Sequence, residues 1–289
     1  MTKINGQTRI VGVIGDPVQH SRSPQMHNAA IVERKLDYVY VPFHVRSGEL
    51  REAIEGFKAL NVLGVNVTIP HKQTVMSILD DVSHEATLIG AANTLIFCDG
   101  RVSGDNTDAQ GFLRAMTEEG IDIPVGGSAV VLGAGGAARA VVVALALSGL
   151  DLITIANRTE WKAIQFEKDL ATISETEISA VDLASNQLNS AIRSADLLVN
   201  TTSVGMQETD QLLIDPDSLN PGTIVYEIVY TPPETPLLRV AREKGCQTIG
   251  GIGMLVHQGA IAFEKWIGIV PNVETMRIAL KQALYQKKL

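Results

Sequence analysis

Six residues, Gly133-Ala134-Gly135-Gly136-Ala137-Ala138, constrain this chain more than any other stretch. They follow a short apolar run, Ala129–Leu132, and open a segment of helical character, Gly135–Ser148. In that setting each small residue has a use. The first glycine makes the tight turn, the second leaves bare backbone beside a pyrophosphate, and Ala138 lets the helix pack on the strand. Free N–H groups at the helix start face the phosphates. The pattern predicts a dinucleotide site in a doubly wound unit.

The end of the next strand says which dinucleotide. An NAD site usually carries Asp or Glu there, about 20 residues on, to accept from a ribose hydroxyl. Here Asn157-Arg158-Thr159 stands 24 residues after Gly133, with Lys162 a turn later. Arg158 offers a planar fork to a 2′-phosphate, and Thr159 can cap the helix and donate to the same group. That favours NADP. Glu160 is a nearby acid that could reach the ribose instead, which keeps NAD as the alternative.

Around this turn, β-branched runs alternate with helical periods, the signature of α/β architecture. Arg9–Ile14, Tyr38–Val45 and Leu63–Val67 read as strands, and Thr94–Ser103 as a hairpin turning on Asp99-Gly100 that closes the first domain. Ser23-Pro24 supplies a cap and first-turn proline for a helix to Glu33, and Leu50, Ile54, Phe57 and Leu60 share one helical face. Strands at Leu152–Ala156, Leu197–Asn200 and Thr223–Val229 continue the series, with helices at Trp161–Ala171 and from Pro236 to Lys244. Two final helices, Met254–Trp266 and Val273–Tyr285, have no strand between them and can return to the first domain. The expected fold is α/β with two domains: an N-terminal α/β substrate domain, residues 1–107 plus 251–289, and a Rossmann doubly wound dinucleotide-binding domain, residues 108–250.

Charge narrows the function classes. With 289 residues and a formal net charge of −8, the chain is not built to hold nucleic acid or anionic lipid. Two cysteines, Cys98 and Cys246, make no disulfide framework and read as buried, reduced thiols, and the six histidines lack metal-ligand spacing. No metal is expected. The longest apolar run, Ala140–Leu147, is far short of a membrane span, and the polar N-terminus shows no secretory signal. A cytoplasmic enzyme acting on a small molecule fits best.

The first domain carries small polar residues in dense runs: Gly15–Pro24 with His27-Asn28, Gly64–Lys72, Ala92-Asn93-Thr94 and Gly104–Asp108. Such hydroxyls, amides, an amine and carboxylates suit a small polyhydroxylated anion. These runs, with Gly133–Arg139, Asn157-Arg158-Thr159, Asn200–Met206 and Gly251–Gln258, resemble the shikimate dehydrogenase family over essentially the whole chain.

The resemblance implies reversible reduction of 3-dehydroshikimate by NADPH, on the chorismate route to aromatic amino acids. It places the substrate carboxylate on Ser21 and Ser23. The ring hydroxyls fall to Thr68, Asn93, Asp108 and Gln258, with Tyr230 nearby. Lys72 and Asp108 become the catalytic pair. Nucleotide contacts fall on Gly133, Ala134, Gly135, Gly136 and Ala137, on Asn157, Arg158, Thr159 and Lys162, and on Ile228 and Gly251. The chain departs from the family at Glu227, where Asp is usual before Tyr230, and at His71, where an aromatic residue is common. An NAD-dependent quinate/shikimate dehydrogenase is the competing enzyme. A non-catalytic Rossmann-type sensor is disfavoured because both members of the pair are present. A homodimer stays open.

Each of these residues also has a plainer use. Ser23 can cap a helix, Asp108 can sit in a favourable first turn, and Lys72 can be solvated surface charge. Hydride transfer to a ketone leaves an alkoxide that needs a proton, and a positioned amine supplies one.

Overall fold

A computed structural model describes residues 4–170, 175–207 and 209–285. The chain divides into two compact units: residues up to Gly111 with those from Leu255 onward, and Phe112–Met254. Each is an α/β layered unit with its own six-stranded sheet. Among the described residues no helix is long and apolar enough to cross a membrane.

The first unit runs β1 (Arg9–Gly15), α1 (Ser23–Glu33), β2 (Tyr38–His44), α2 (Leu50–Ala59), β3 (Gly64–Val67), α3 (His71–Thr74), β4 (Asp81–Val82), α4 (His84–Ile89), β5 (Thr94–Cys98), β6 (Arg101–Asp105) and the start of α5 (Asp108–Glu118). Its sheet order is β2-β1-β3-β5-β6-β4. Strand β5 runs antiparallel to β3 and β6, so the sheet is mixed. The hairpin forms because Asp99 and Gly100 adopt φ of 50° and 74°, the left-handed pair a two-residue turn requires. Strand β4 pairs outside the hairpin, with β6. Ile14, Ile54, Phe57, Val65, Val67 and Leu95 build the core beneath.

Three positions differ from the sequence expectation. Leu60 lies beyond the end of α2 and is 72% exposed, because the helix stops one residue before the apolar period completes. Ser23 is inside α1 rather than capping it; Arg22 holds the cap position without a side-chain bond. Cys98 is exposed at the hairpin's end, and only Cys246 is buried.

The second unit runs β7 (Ser128–Leu132), α6 (Gly136–Leu147), β8 (Leu152–Asn157), α7 (Glu160–Leu170), β9 (Glu177–Asp182), α8 (Asn186–Ser194), β10 (Leu197–Asn200), β11 (Ile224–Glu227), α9 (Pro236–Glu243), β12 (Gln247–Ile249) and the start of α10 (Ile252–Ile267). Ala171, the expected end of α7, lies outside the described residues. All six strands are parallel in the order β12-β11-β10-β7-β8-β9. That order reverses direction at β7, the switch point where a doubly wound sheet opens its ligand crevice. Both faces of the sheet are covered, so β10 is buried throughout and α6 is apolar nearly all round. Sequence reading did not separate β9 and α8. Their signal was present in Leu188 and Ile192, both buried four residues apart, after a capping Ser185.

Helix α11 (Val273–Tyr285) starts at Asn272, whose Oδ1 accepts from the N–H groups of Glu274 and Thr275. Trp266 of α10 donates its indole N–H to Leu95 O at 2.9 Å, tying the late helices to the first sheet.

Candidate functional site

In the first unit, register gathers the polar runs on one sheet edge. Asn66 pairs with Thr94, Thr94 with Asp105, and the Asn93 N–H donates to Asp105 O at 3.0 Å. The end of β3, the start of β5 and the end of β6 therefore coincide, and Lys72, Asn93 and Asp108 follow or precede them by a few residues. Lys72 Nζ donates to Asp108 Oδ2 at 2.5 Å. The Lys72 side chain is 16% exposed and that of Asp108 6%, so the pair is mostly withdrawn from water with one side open. One of the three ammonium protons is committed to Asp108, leaving two for a ligand.

Asp108 is held from behind. Its N–H donates to Asn106 Oδ1 at 2.9 Å, and its Oδ1 accepts from Asn93 Nδ2 at 2.7 Å. Asn93 Nδ2 also lies 3.0 Å from Thr107 Oγ1 and 3.3 Å from Gln258 Oε1. With two hydrogens and three acceptors it serves the nearer two first, so Gln258 Oε1 keeps spare capacity. Gly111 makes this approach possible. A Cβ there would sit 2.7 Å from Gln258 Cβ. Buried amides and a buried carboxylate carry a cost unless paired, and here they are paired with one another.

Supporting residues escaped the sequence reading. Tyr40 OH donates to Asn66 Oδ1 at 2.8 Å, and Asn66 Nδ2 reaches Asn93 O and Thr94 Oγ1. The signal was an asparagine inside a short strand, where its type is disfavoured. Thr68 is half-buried at the end of β3, its N–H bonded to Ile14 O. Ser21 and Ser23 stand after β1 on the same edge, where the Ser23 N–H donates to Ser21 Oγ at 3.3 Å. Among the described residues no hydrogen bond joins these serines to the Lys72 cluster. His71 is buried, its Nε2 2.7 Å from Val45 O, so it secures the short helix bearing Lys72.

In the second unit Gly133 follows β7 with φ of 110°, a conformation only glycine takes cheaply. A Cβ on it would lie 2.8 Å from Thr201 Oγ1, while one on Gly135 would meet nothing within 4 Å. Gly135 caps α6 with no side-chain bond, so the first N–H groups of Gly136 and Ala137 face outward from a bare, open turn. Ala138, fully buried, takes the helix-on-strand contact. Asn157 Nδ2 and the Lys162 N–H both donate to Thr159 O, shaping the turn after β8. Arg158 and Lys162 are exposed, and neither is paired with a carboxylate among the described residues. Bare backbone, outward-facing N–H groups and two exposed cations form a donor set that fits a phosphorylated dinucleotide. Ile228 and Gly251 meet directly, since a Cβ on Gly251 would lie 2.2 Å from Ile228 O. Tyr230 belongs to this unit, whereas the other candidate substrate residues belong to the first.

Models described as the shikimate dehydrogenase substrate binding domain, shikimate/quinate 5-dehydrogenase and the shikimate 5′-dehydrogenase C-terminal domain match residues 13–95, 125–210 and 251–281. A shikimate dehydrogenase (NADP(+)) of Desulforamulus reducens is 45% identical over 280 residues, 96% of each chain. The chain belongs to the shikimate dehydrogenase family.

Solved members of this family and its neighbours share the fold. A shikimate dehydrogenase in complex with NADP+ superposes with a TM-score of 0.91 at 40% identity, covering 99% of each chain. A quinate dehydrogenase from Corynebacterium glutamicum in complex with NAD gives 0.87 at 34%, covering 95% of this chain and 99% of that one.

This shikimate dehydrogenase family member carries a fully buried acid in its second unit. Glu227, 0% exposed, receives Asn200 Nδ2 on both oxygens, at 3.0 and 2.9 Å. The Val229 N–H and Thr235 Oγ1 add bonds at 2.9 and 3.2 Å. Burial pushes its pKa up to about 7 against these stabilising donors.

Proposed function

We infer that this chain catalyses the reversible NADPH-dependent reduction of 3-dehydroshikimate to shikimate, in the biosynthesis of aromatic amino acids. The observation that carries the reading is the short Lys72–Asp108 contact on a polar sheet edge, in a chain that also bears the open glycine turn. The NADP-dependent relative and the NADP+ complex support the cofactor assignment.

The bound dinucleotide supplies the hydride; the protein's residues handle binding and the proton. Gly133, Ala134, Gly135, Gly136 and Ala137 would receive the pyrophosphate on backbone N–H groups. Asn157, Arg158, Thr159 and Lys162 would hold the adenosine ribose and its 2′-phosphate, and Ile228 and Gly251 would line the remaining cofactor path. Ser21 and Ser23 would take the substrate carboxylate. Thr68, Asn93, Asp108 and Gln258 would bind its hydroxyls, with Tyr230 completing the set.

In reduction, the ketone carbon accepts hydride and its oxygen accepts a proton from Lys72 Nζ. In oxidation, neutral Lys72 takes that proton back. Asp108 aims the amine and receives a substrate hydroxyl on the same carboxylate, and Asn93 fixes that carboxylate's rotation. Positioned proton transfer of this kind contributes ~10²–10⁴ in rate.

The substrate domain would correspond to residues 1–107 with 251–289 and the dinucleotide domain to 108–250. A cytoplasmic location is part of the same proposal, supported by the biosynthetic role inferred above. A homodimer is a proposal supported by Val32 and Ile278, left about half bare on α1 and α11, and sedimentation reads it directly.

An absorbance assay for reduced nicotinamide, with shikimate and NADP+ or NAD+, tests the function. Turnover preferring NADP+ supports it. A preference for quinate with NAD+ would instead favour the competing enzyme, for which Glu160 supplies a carboxylate near the ribose position.

A further inference from the structure

Glu227 lies between two stretches that the proposed cofactor site uses. On one side Asn200, directly opposite it in register at the end of β10, gives both oxygens its amide. The same amide donates to Val204 O, and Asn200 Oδ1 accepts from the Thr202 N–H and hydroxyl. This closes the loop after β10 on itself. Next in that loop, Thr201 donates its hydroxyl to Leu132 O at 2.6 Å and walls the Gly133 turn. On the other side the Val229 N–H binds Glu227 Oε1, which fixes Ile228, whose carbonyl packs on Gly251. Thr235, the cap of α9, anchors the second oxygen.

We propose that Glu227 is a positioning residue of the dinucleotide site: its buried carboxylate ties the loop walling Gly133 to the loop carrying Ile228. The proposal rests on the NADP reading above. Three donor groups from three segments converge on one carboxylate, and a neutral side chain of the same shape cannot accept from all three.

The surroundings make this clamp responsive to pH. The described groups packed on Glu227 are the Asn200 amide, Gly205, the Val229 N–H and Thr235, with the positive end of the α9 dipole behind Thr235. Asp210 lies beyond Gly205, occupied by the Gly205 and Gln207 N–H groups, and Tyr226 precedes Glu227 in β11 and packs on Phe112. Among the described residues no cation pairs with Glu227. On protonation one oxygen becomes a donor facing donors, and the two loops lose part of their tie.

The test is calorimetric titration with NADP+ from pH 6 to pH 9, using the full chain and its E227Q, E227D and T235V variants. Taking the ratio of variant to native dissociation constants cancels titration of the ligand's own phosphate. For E227Q the expected ratio is about 10 at pH 9, falling to about 2 at pH 6, where native Glu227 is itself neutral. The KM for NADP+ should follow this ratio while kcat stays within about 3-fold, because the proton-transferring pair is elsewhere. E227D should restore binding to within about 3-fold, and T235V should give a smaller penalty with the same pH trend. A folded E227Q with a ratio near one, or with a ratio that does not change with pH, overturns the proposal. Should E227Q fail to fold, a pH-independent ratio for T235V overturns it equally. A native chain that binds no NADP+ at any pH overturns the functional reading itself, a different and separable result.

Discussion

Asn93 Nδ2 stands 2.7 Å from Asp108 Oδ1, on the oxygen opposite the one that binds Lys72. The carboxylate is thus held at both ends, by an amide that sets its plane and an amine that shares its charge. Asn93→Ala removes the amide and leaves Asp108 free to rotate about its side chain. Loss of one hydrogen bond to a charged group costs about 1.5–3 kcal/mol, so kcat/KM for shikimate should fall about 10- to 100-fold. Unchanged steady-state kinetics in a folded N93A enzyme would remove Asn93 from the account.

Arg158 is the cation that should separate the two dinucleotides. Replacing it with Ala deletes a planar fork to the 2′-phosphate and nothing that NAD+ uses. The KM for NADP+ should rise about 10- to 100-fold, while kcat/KM with NAD+ moves less than about 3-fold. Equal losses with both cofactors would show that Arg158 serves the fold or the pyrophosphate instead.

Much of this was legible in the sequence because glycine and charge leave sharp marks. The Gly133 turn and the Asp99-Gly100 hairpin each rest on local backbone demands, and both formed. Lys72 and Asp108 were named from motifs, but their contact arises from sheet register. Nothing local encodes the antiparallel insertion of β5 beside β3. Leu60 misled for a related reason: an apolar period says which face would be buried, not where the helix stops. The Tyr40–Asn66 link spans two strands separated by β1 and was beyond pattern reading.

Gly133→Ala should damage the cofactor site and the fold together. Its φ of 110° disfavours any side chain, and the new Cβ would press on Thr201 Oγ1. Strain of this kind costs about 1–3 kcal/mol. Thermal unfolding should show a lowered Tm, and titration should show NADP+ binding weakened by at least about 10-fold. Native-like values in both would mean the turn does not approach the ligand.

Glu227 also sets a sign for stability against pH. Its pKa is raised from an ordinary value near 4.5 to about 7 by burial, so between those values the folded chain holds more protons than the unfolded one. Its contribution to stability is complete below about pH 4.5 and is lost as pH rises through about 7. Melting curves of native and E227Q enzymes from pH 5 to pH 8 check this. The native Tm should fall relative to that of E227Q as pH rises, whereas parallel profiles would contradict the raised pKa.

The most direct measurement is steady-state turnover of shikimate and NADP+ by Lys72→Ala. The account predicts a kcat lowered by ~10²–10⁴ with KM for shikimate within a few-fold, since Asn93, Asp108 and Gln258 remain to bind the ring. Turnover equal to that of the native enzyme would contradict it, because the alkoxide would then be receiving its proton from some other group.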